Sequence, residues 1–86
     1  MRYAVEILRS ARKQLERIAA EPQERILVAL EALADAPRPE GCTKLTGRDA
    51  WRIRLGDYRV IYEIRDDARI VTVVVIAHRR DAYRHP

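Results

Sequence analysis

The stretch Trp51 to Tyr62, WRIRLGDYRVIY, constrains this chain more than any other. Trp51, Ile53 and Leu55 alternate with Arg52 and Arg54, and the alternation resumes after Gly56-Asp57 through Tyr58, Val60 and Tyr62. Period-two alternation on both sides of a Gly-Asp linker predicts a two-residue hairpin, with glycine at the first position of a type II′ turn. That register pairs Leu55 with Tyr58, Arg54 with Arg59, Ile53 with Val60 and Arg52 with Ile61. Like charges directly opposite each other destabilise a sheet, and a guanidinium stays charged at any working pH. A fold has no structural reason to set Arg54 across from Arg59 with Arg52 on the same face. A site for a polyanion supplies one.

The rest of the chain reads as a frame for this hairpin. Arg2 to Ile7 alternates and predicts a first strand, with Tyr3, Val5 and Ile7 on one side. Ser10 is the expected N-cap of a helix whose apolar face is Ala11, Leu15, Ile18 and Ala19. Pro22 suits the first turn of a second helix over Pro22 to Ala36, with Ile26, Leu27, Leu30, Leu33 and Ala34 at helical spacing. Pro37, Pro39 and Gly41 end it in an irregular connection, and Gly47 is expected in a turn before the hairpin. Tyr58 to Arg65 predicts a long strand, Asp66-Asp67-Ala68 a turn, and Arg69 to Ala77 a last strand. IVTVVVIA is apolar on both faces apart from Thr72, so that strand belongs in the middle of the sheet. The expected fold is α+β, in the order β-α-α-β-β-β, with a two-helix hairpin on one face of a mostly antiparallel sheet. The arginines lie on the other face. Residues 1–86 read as a single domain.

Charge points the same way. The chain carries 17 Lys+Arg against 13 Asp+Glu, a net of +4, and the surplus lies in the half containing the hairpin. A basic balance favours anionic partners. The alternating, charged N-terminus is unlike a signal peptide, and the apolar run Ile70 to Ala77 is too short to span a membrane, so a cytoplasmic protein is expected.

Several chemistries are set aside. The sequence has no GxxxxGK[ST], GxGxxG or HExxH motif and no Cys/His ligand spacing, so neither a metal nor a cofactor is expected. Cys42 is the only cysteine. An arginine face with Tyr83 and His78 downstream suits RNA cleavage by the 2′-hydroxyl, where the nucleophile belongs to the substrate. The protein then orients the backbone, stabilises charge on the pentavalent phosphate and manages two protons. Arginine suits the second task but not the third, which leaves Tyr83 and His78 as candidate proton handlers. Residues two apart on a strand are about 6.8 Å apart, close to the spacing of phosphates along an extended single strand. Tyr58 and Tyr62 read as core or edge aromatics.

Lys44-Leu45-x-Gly47, WRIRLGDYRVIYEI and AHRRDAYR (Ala77 to Arg84) together resemble the RelE/ParE superfamily of bacterial and archaeal toxins, most closely its RelE-type mRNA interferases. The resemblance covers nearly the whole chain. It implies a RelE-like fold and a metal-independent toxin that cuts mRNA in the ribosomal A site, leaving a 2′,3′-cyclic phosphate. It also implies a RelB-like protein antitoxin, with operator DNA bound only through the toxin–antitoxin complex. Its catalytic positions fall on Arg52, Arg54, Arg59, Arg79 and Tyr83, and Lys44, Arg48, His78 and Arg80 are the further expected RNA contacts. Well-known RelE enzymes carry Lys where this chain has Arg52 and Arg54, so proton transfer by those two does not carry over. The alternatives are a ParE-like toxin that inhibits DNA gyrase by protein binding, and a catalytically weak module that only binds its antitoxin.

Overall fold

A parallel pairing between the first strand and the last sets the architecture. The computed structural model describes residues 2–80. Its elements are β1 (Ala4–Ile7), α1 (Arg9–Glu16), α2 (Ala20–Leu33), β2 (Thr43–Lys44), β3 (Trp51–Leu55), β4 (Tyr58–Arg65) and β5 (Ile70–His78). They build one mixed sheet in the order β1-β5-β4-β3-β2. Only the β1–β5 pair is parallel. The doubly apolar β5 lies in the interior of the sheet, as its composition predicts.

Both helices cover one face. Ala11 and Leu15 of α1 and Ile26, Leu30 and Leu33 of α2 pack on Ile53, Val60, Tyr62, Ile64, Val71, Val73 and Ile76. Three expectations need correction. The N-cap of α1 is Leu8, not Ser10, and no side chain caps it. Leu8 is held extended because its N–H donates to Val73 O (3.0 Å), while its carbonyl accepts the first helical bond from Arg12 N (2.8 Å). The parallel ladder therefore starts the helix before Ser10 is reached. Ala19 and Leu27 are exposed, Leu27 at 44%. Leu27 sits one helical step of about 100° from Ile26 and misses the buried stripe. Finally, Thr43–Lys44 is an additional strand, paired Thr43↔Arg52 and Lys44↔Trp51. Two residues are too few for an alternation signal.

One irregularity in β5 decides which of its side chains reach each face of the sheet. On β4, Ile61 pairs with Val75 but Tyr62 pairs with Val73, so Val74 is an extra residue in β5. Such a bulge exchanges the faces of everything beyond it. It lets Val71, Val73 and Ile76 all reach the core, although Val73 and Ile76 are three apart.

The connection after α2 is pinned to the far end of the sheet. Arg38 donates twice to Asp66, at 2.8 and 3.2 Å, and Tyr3 OH donates to the same carboxylate at 2.6 Å. The Arg38 guanidinium also lies over the Trp51 ring, 5.1 Å from its centroid. Nearby, the buried Tyr62 hydroxyl donates to Pro37 O at 2.8 Å. Burial, then the neighbouring Cys42, push the Tyr62 phenol well above its ordinary value.

Arg38 first, then Tyr3, hold Asp66 down from its ordinary 3.8 to about 2. A carboxylate depressed in the folded state stabilises the fold above its unfolded pKa and loses that contribution as pH falls through the folded one. Asp66→Asn is expected to flatten the fall in thermal midpoint between about pH 4 and pH 2, with a modest effect because the pair is solvent-screened. Wild-type and variant midpoints that decline in parallel would show that the cluster contributes nothing to acid stability.

Candidate anion-binding face

The hairpin forms in the expected register. Arg54 lies opposite Arg59, Ile53 opposite Val60 and Arg52 opposite Ile61. Gly56 takes φ +61° while Asp57 stays out of the left-handed region, as a type II′ turn requires. Since Trp51, Ile53, Tyr58, Val60 and Tyr62 turn toward the helices, Arg52, Arg54 and Arg59 share the opposite face.

Arg59 is the unusual member. It is 7% exposed and is the buried charged residue of the described chain. Among the described residues its Nη1 donates to the Tyr58 carbonyl, at a long 3.4 Å, and its buried Nε has no acceptor. The ion pairs of the described residues join Arg2 to Asp35, Arg38 to Asp66 and Arg65 to Asp67, and none involves Arg54 or Arg59. Burying a charge without a counter-charge costs several kcal/mol in effective terms. A second guanidinium in the facing position makes the local potential more positive still. Arg54 is exposed on this face, and its cross-strand neighbour Arg59 is buried.

The bulge determines which further groups join this face. Beyond Val74, Ala77 pairs with Arg59 and His78 with Tyr58. His78 is therefore on the helix-side face, edge-on to the Tyr58 ring at 5.6 Å, and its Nδ1 accepts from Arg80 N at 3.3 Å. Arg79 N donates to Asp57 O at 2.7 Å, which sets Arg79 beside the hairpin turn. Lys44 lies opposite Trp51, also on the helix side, and its Nζ donates to Arg48 O at 3.2 Å within its own turn. Arg48 and Arg80 are exposed. The structure thus brings Arg52, Arg54 and Arg59 together with Arg79 at the margin, and sets Lys44 and His78 on the other side. Tyr83 lies outside the described residues. No group of three or more His, Cys, Asp or Glu side chains among the described residues could hold a metal.

Arg38, stacked on Trp51 and chelated by Asp66, is the interaction that sequence reasoning missed. Its partner lies 28 residues away, and no local pattern marks the pairing.

Two helices packed on one face of a mixed five-stranded sheet are the α+β fold of RelE toxins. The family model for the ParE toxin of type II toxin–antitoxin systems (parDE) matches residues 5–83. The chain belongs to this family, within the RelE/ParE superfamily, and is of RelE type. A protein assigned as the toxin RelE1 of Methanocaldococcus jannaschii is 30% identical over 90 residues, covering 100% of both chains. The RelE–RelB complex of Pyrococcus horikoshii gives a TM-score of 0.84 at 31% identity, over 95% of this chain and 100% of that one. The free E. coli toxin RelE with two arginine substitutions gives 0.80 at 25% identity, over 95% and 88%. The protein is a toxin of a type II toxin–antitoxin system.

Arg59→Met keeps most of the side-chain volume and removes the buried charge. It is expected to stabilise the fold by about 1 kcal/mol or more, a rise of roughly 4–8 °C in thermal midpoint for a domain of this size. A lower midpoint in calorimetry would mean that the guanidinium is held by compensating contacts.

Proposed function

We propose that the protein is a ribosome-dependent endoribonuclease that cuts mRNA in the A site. The observation that carries this reading is the buried, acceptor-less Arg59 guanidinium facing Arg54. The 2′-hydroxyl of the substrate attacks the adjacent phosphorus, the bond to the 5′ oxygen breaks, and the products are a 2′,3′-cyclic phosphate and a free 5′-hydroxyl. One proton leaves the 2′-hydroxyl and one is delivered to the departing oxygen. Arg59 and Arg54 stabilise the negative charge that builds on the non-bridging oxygens, while Arg52 and Arg79 hold the flanking backbone. Arginine does not release protons, so acid–base work falls to other groups. His78 lies across the sheet from the arginines, which favours Tyr83 for that role. Lys44, Arg48, His78 and Arg80 are left as peripheral RNA or ribosome contacts. No metal or cofactor takes part.

The partner we propose is a RelB-like protein antitoxin. Its support is the RelE–RelB complexes of Pyrococcus horikoshii and Methanococcus jannaschii, which share this fold. Operator DNA would be met only through that complex, and the setting is the cytoplasm. No helix among the described residues is long and apolar enough to cross a membrane.

The matching ParE family model favours one second reading, inhibition of DNA gyrase by protein binding. Induced expression with mapping of transcript 5′ ends separates the two. Cuts phased to codons support the nuclease; a DNA damage response without cuts supports gyrase inhibition. Arg59→Ala is expected to lower mRNA cleavage by roughly 10²–10³-fold, the scale for losing one preorganised charge-stabilising donor, and to abolish growth inhibition while the circular dichroism spectrum is unchanged. A folded Arg59→Ala protein of full toxicity would remove the assignment.

A further inference from the structure

β5 ends in a turn that two hydrogen bonds close. Arg79 N donates to the Asp57 carbonyl at 2.7 Å, which extends the β4–β5 ladder one residue past the Tyr58–His78 pair. Successive N–H groups of an antiparallel strand point to opposite sides, so Arg80 N is directed away from β4. The strand on that side, β1, pairs with β5 from Ile70 to Val73 and ends well short of this turn. Arg80 N donates instead to His78 Nδ1, at 3.3 Å. A side-chain acceptor two residues before its donor replaces a ladder bond with a turn.

The chemistry of that bond fixes the state of the ring. A backbone amide nitrogen has a proton to give and accepts none, so Nδ1 has to be the acceptor. In the neutral imidazole the proton then sits on Nε2. His78 is half-buried on the helix-side face. Its edge contact with the Tyr58 ring, 5.6 Å between centroids at 81°, holds the ring with Nδ1 toward the main chain.

What the turn holds is Arg79. Its side chain alternates with that of His78 and so falls on the arginine face, at the margin beside the hairpin turn. The Asp57 carbonyl anchors the Arg79 backbone on one side, and the His78 ring closes the chain just beyond it. The reach of a long side chain depends on where its Cα is held, and a misplacement of about 1 Å costs up to ~10²-fold in rate.

We propose that His78 is a positioning residue for RNA cleavage, its unprotonated Nδ1 closing the turn that fixes Arg79 at the edge of the anion-binding face. This rests on the nuclease reading above. The role differs from an RNA contact in the atom it uses. Nδ1 acts through the main chain, whereas a contact with RNA would use Nε2.

The test uses the whole toxin, ribosomes programmed with a defined mRNA, and three variants. Asn places an amide oxygen one bond beyond Cγ, where Nδ1 stands, and Gln places it one bond further, as Nε2 is. His78→Ala and His78→Gln are expected to cut mRNA about 10–100-fold more slowly than wild type, and His78→Asn to recover most of that loss. Thermal midpoints of the three variants are expected to lie close together, so that the recovery reads geometry and not folding. Long-range proton–nitrogen NMR correlations assigned to His78, at mildly alkaline pH, are expected to show the proton on Nε2. A proton on Nδ1, an Ala variant as fast as wild type, or recovery by Gln or by neither amide would overturn the proposal and leave the nuclease reading standing. So would a loss of cleavage that follows the midpoints. A wild type that cuts no mRNA on ribosomes would overturn both.

Discussion

The extra residue at Val74 is the constraint on which the working surface depends. β5 lies between β1 and β4 and supplies side chains to both faces of the sheet. Regular alternation from Val71 and Val73 would carry Val75 and Ala77 into the core and turn Ile76 and His78 outward. The bulge reverses this, so that Ile76 is buried under the helices and Ala77 becomes the neighbour of Arg59. Alanine at that position leaves the space beside Arg59 to the guanidinium. A larger side chain would compete for it. The burial of Arg59, the exclusion of His78 from its face and the approach of Arg79 to Asp57 all follow from one inserted valine.

Two arginines in this chain show that the exposed state of the anion face is not for want of carboxylates. Arg38 has a bidentate partner in Asp66 and a ring beneath it in Trp51. Arg59 has a distant carbonyl and nothing on Nε. Glu63 is on the same strand and face as Arg59, four residues along, a separation of about 14 Å. That is beyond pairing distance. For a small domain, whose whole stability is of order 5–15 kcal/mol, burying one guanidinium with no ion pair among the described residues is a sizeable concession. It is made where an external anion would relieve it.

The hairpin was legible because everything that defines it is local. Alternation, a glycine at the turn and the like-charge pair all lie within twelve consecutive residues, and the register followed from them. The helical pair was legible from spacing, but its first cap was not. Leu8 is fixed by a bond to Val73, 65 positions away, and Ser10 carries a cap signal that the tertiary ladder overrides. The bulge was illegible for a different reason. Within IVTVVVIA the residues on either side of the slip are all valine or isoleucine, so no change of pattern marks where one face becomes the other. The site inherited that ambiguity. Arg52, Arg54 and Arg59 could be placed together from sequence, whereas His78 could not be assigned to a face without the register of β5.

An unneutralised arginine face sets a condition on any protein that has to restrain it. If the Arg54–Arg59 face is kept for RNA, it has to stay free of counter-charge, and no ion pair of the described residues engages either arginine. A restraining partner that relied on those charges alone would compete directly with a polyanion and would weaken with every increase in salt. A partner held by apolar contact lacks that weakness, since burial of apolar surface is not screened by salt. Arg54 is exposed at the border of that face and also lines the hollow between α2 and β3.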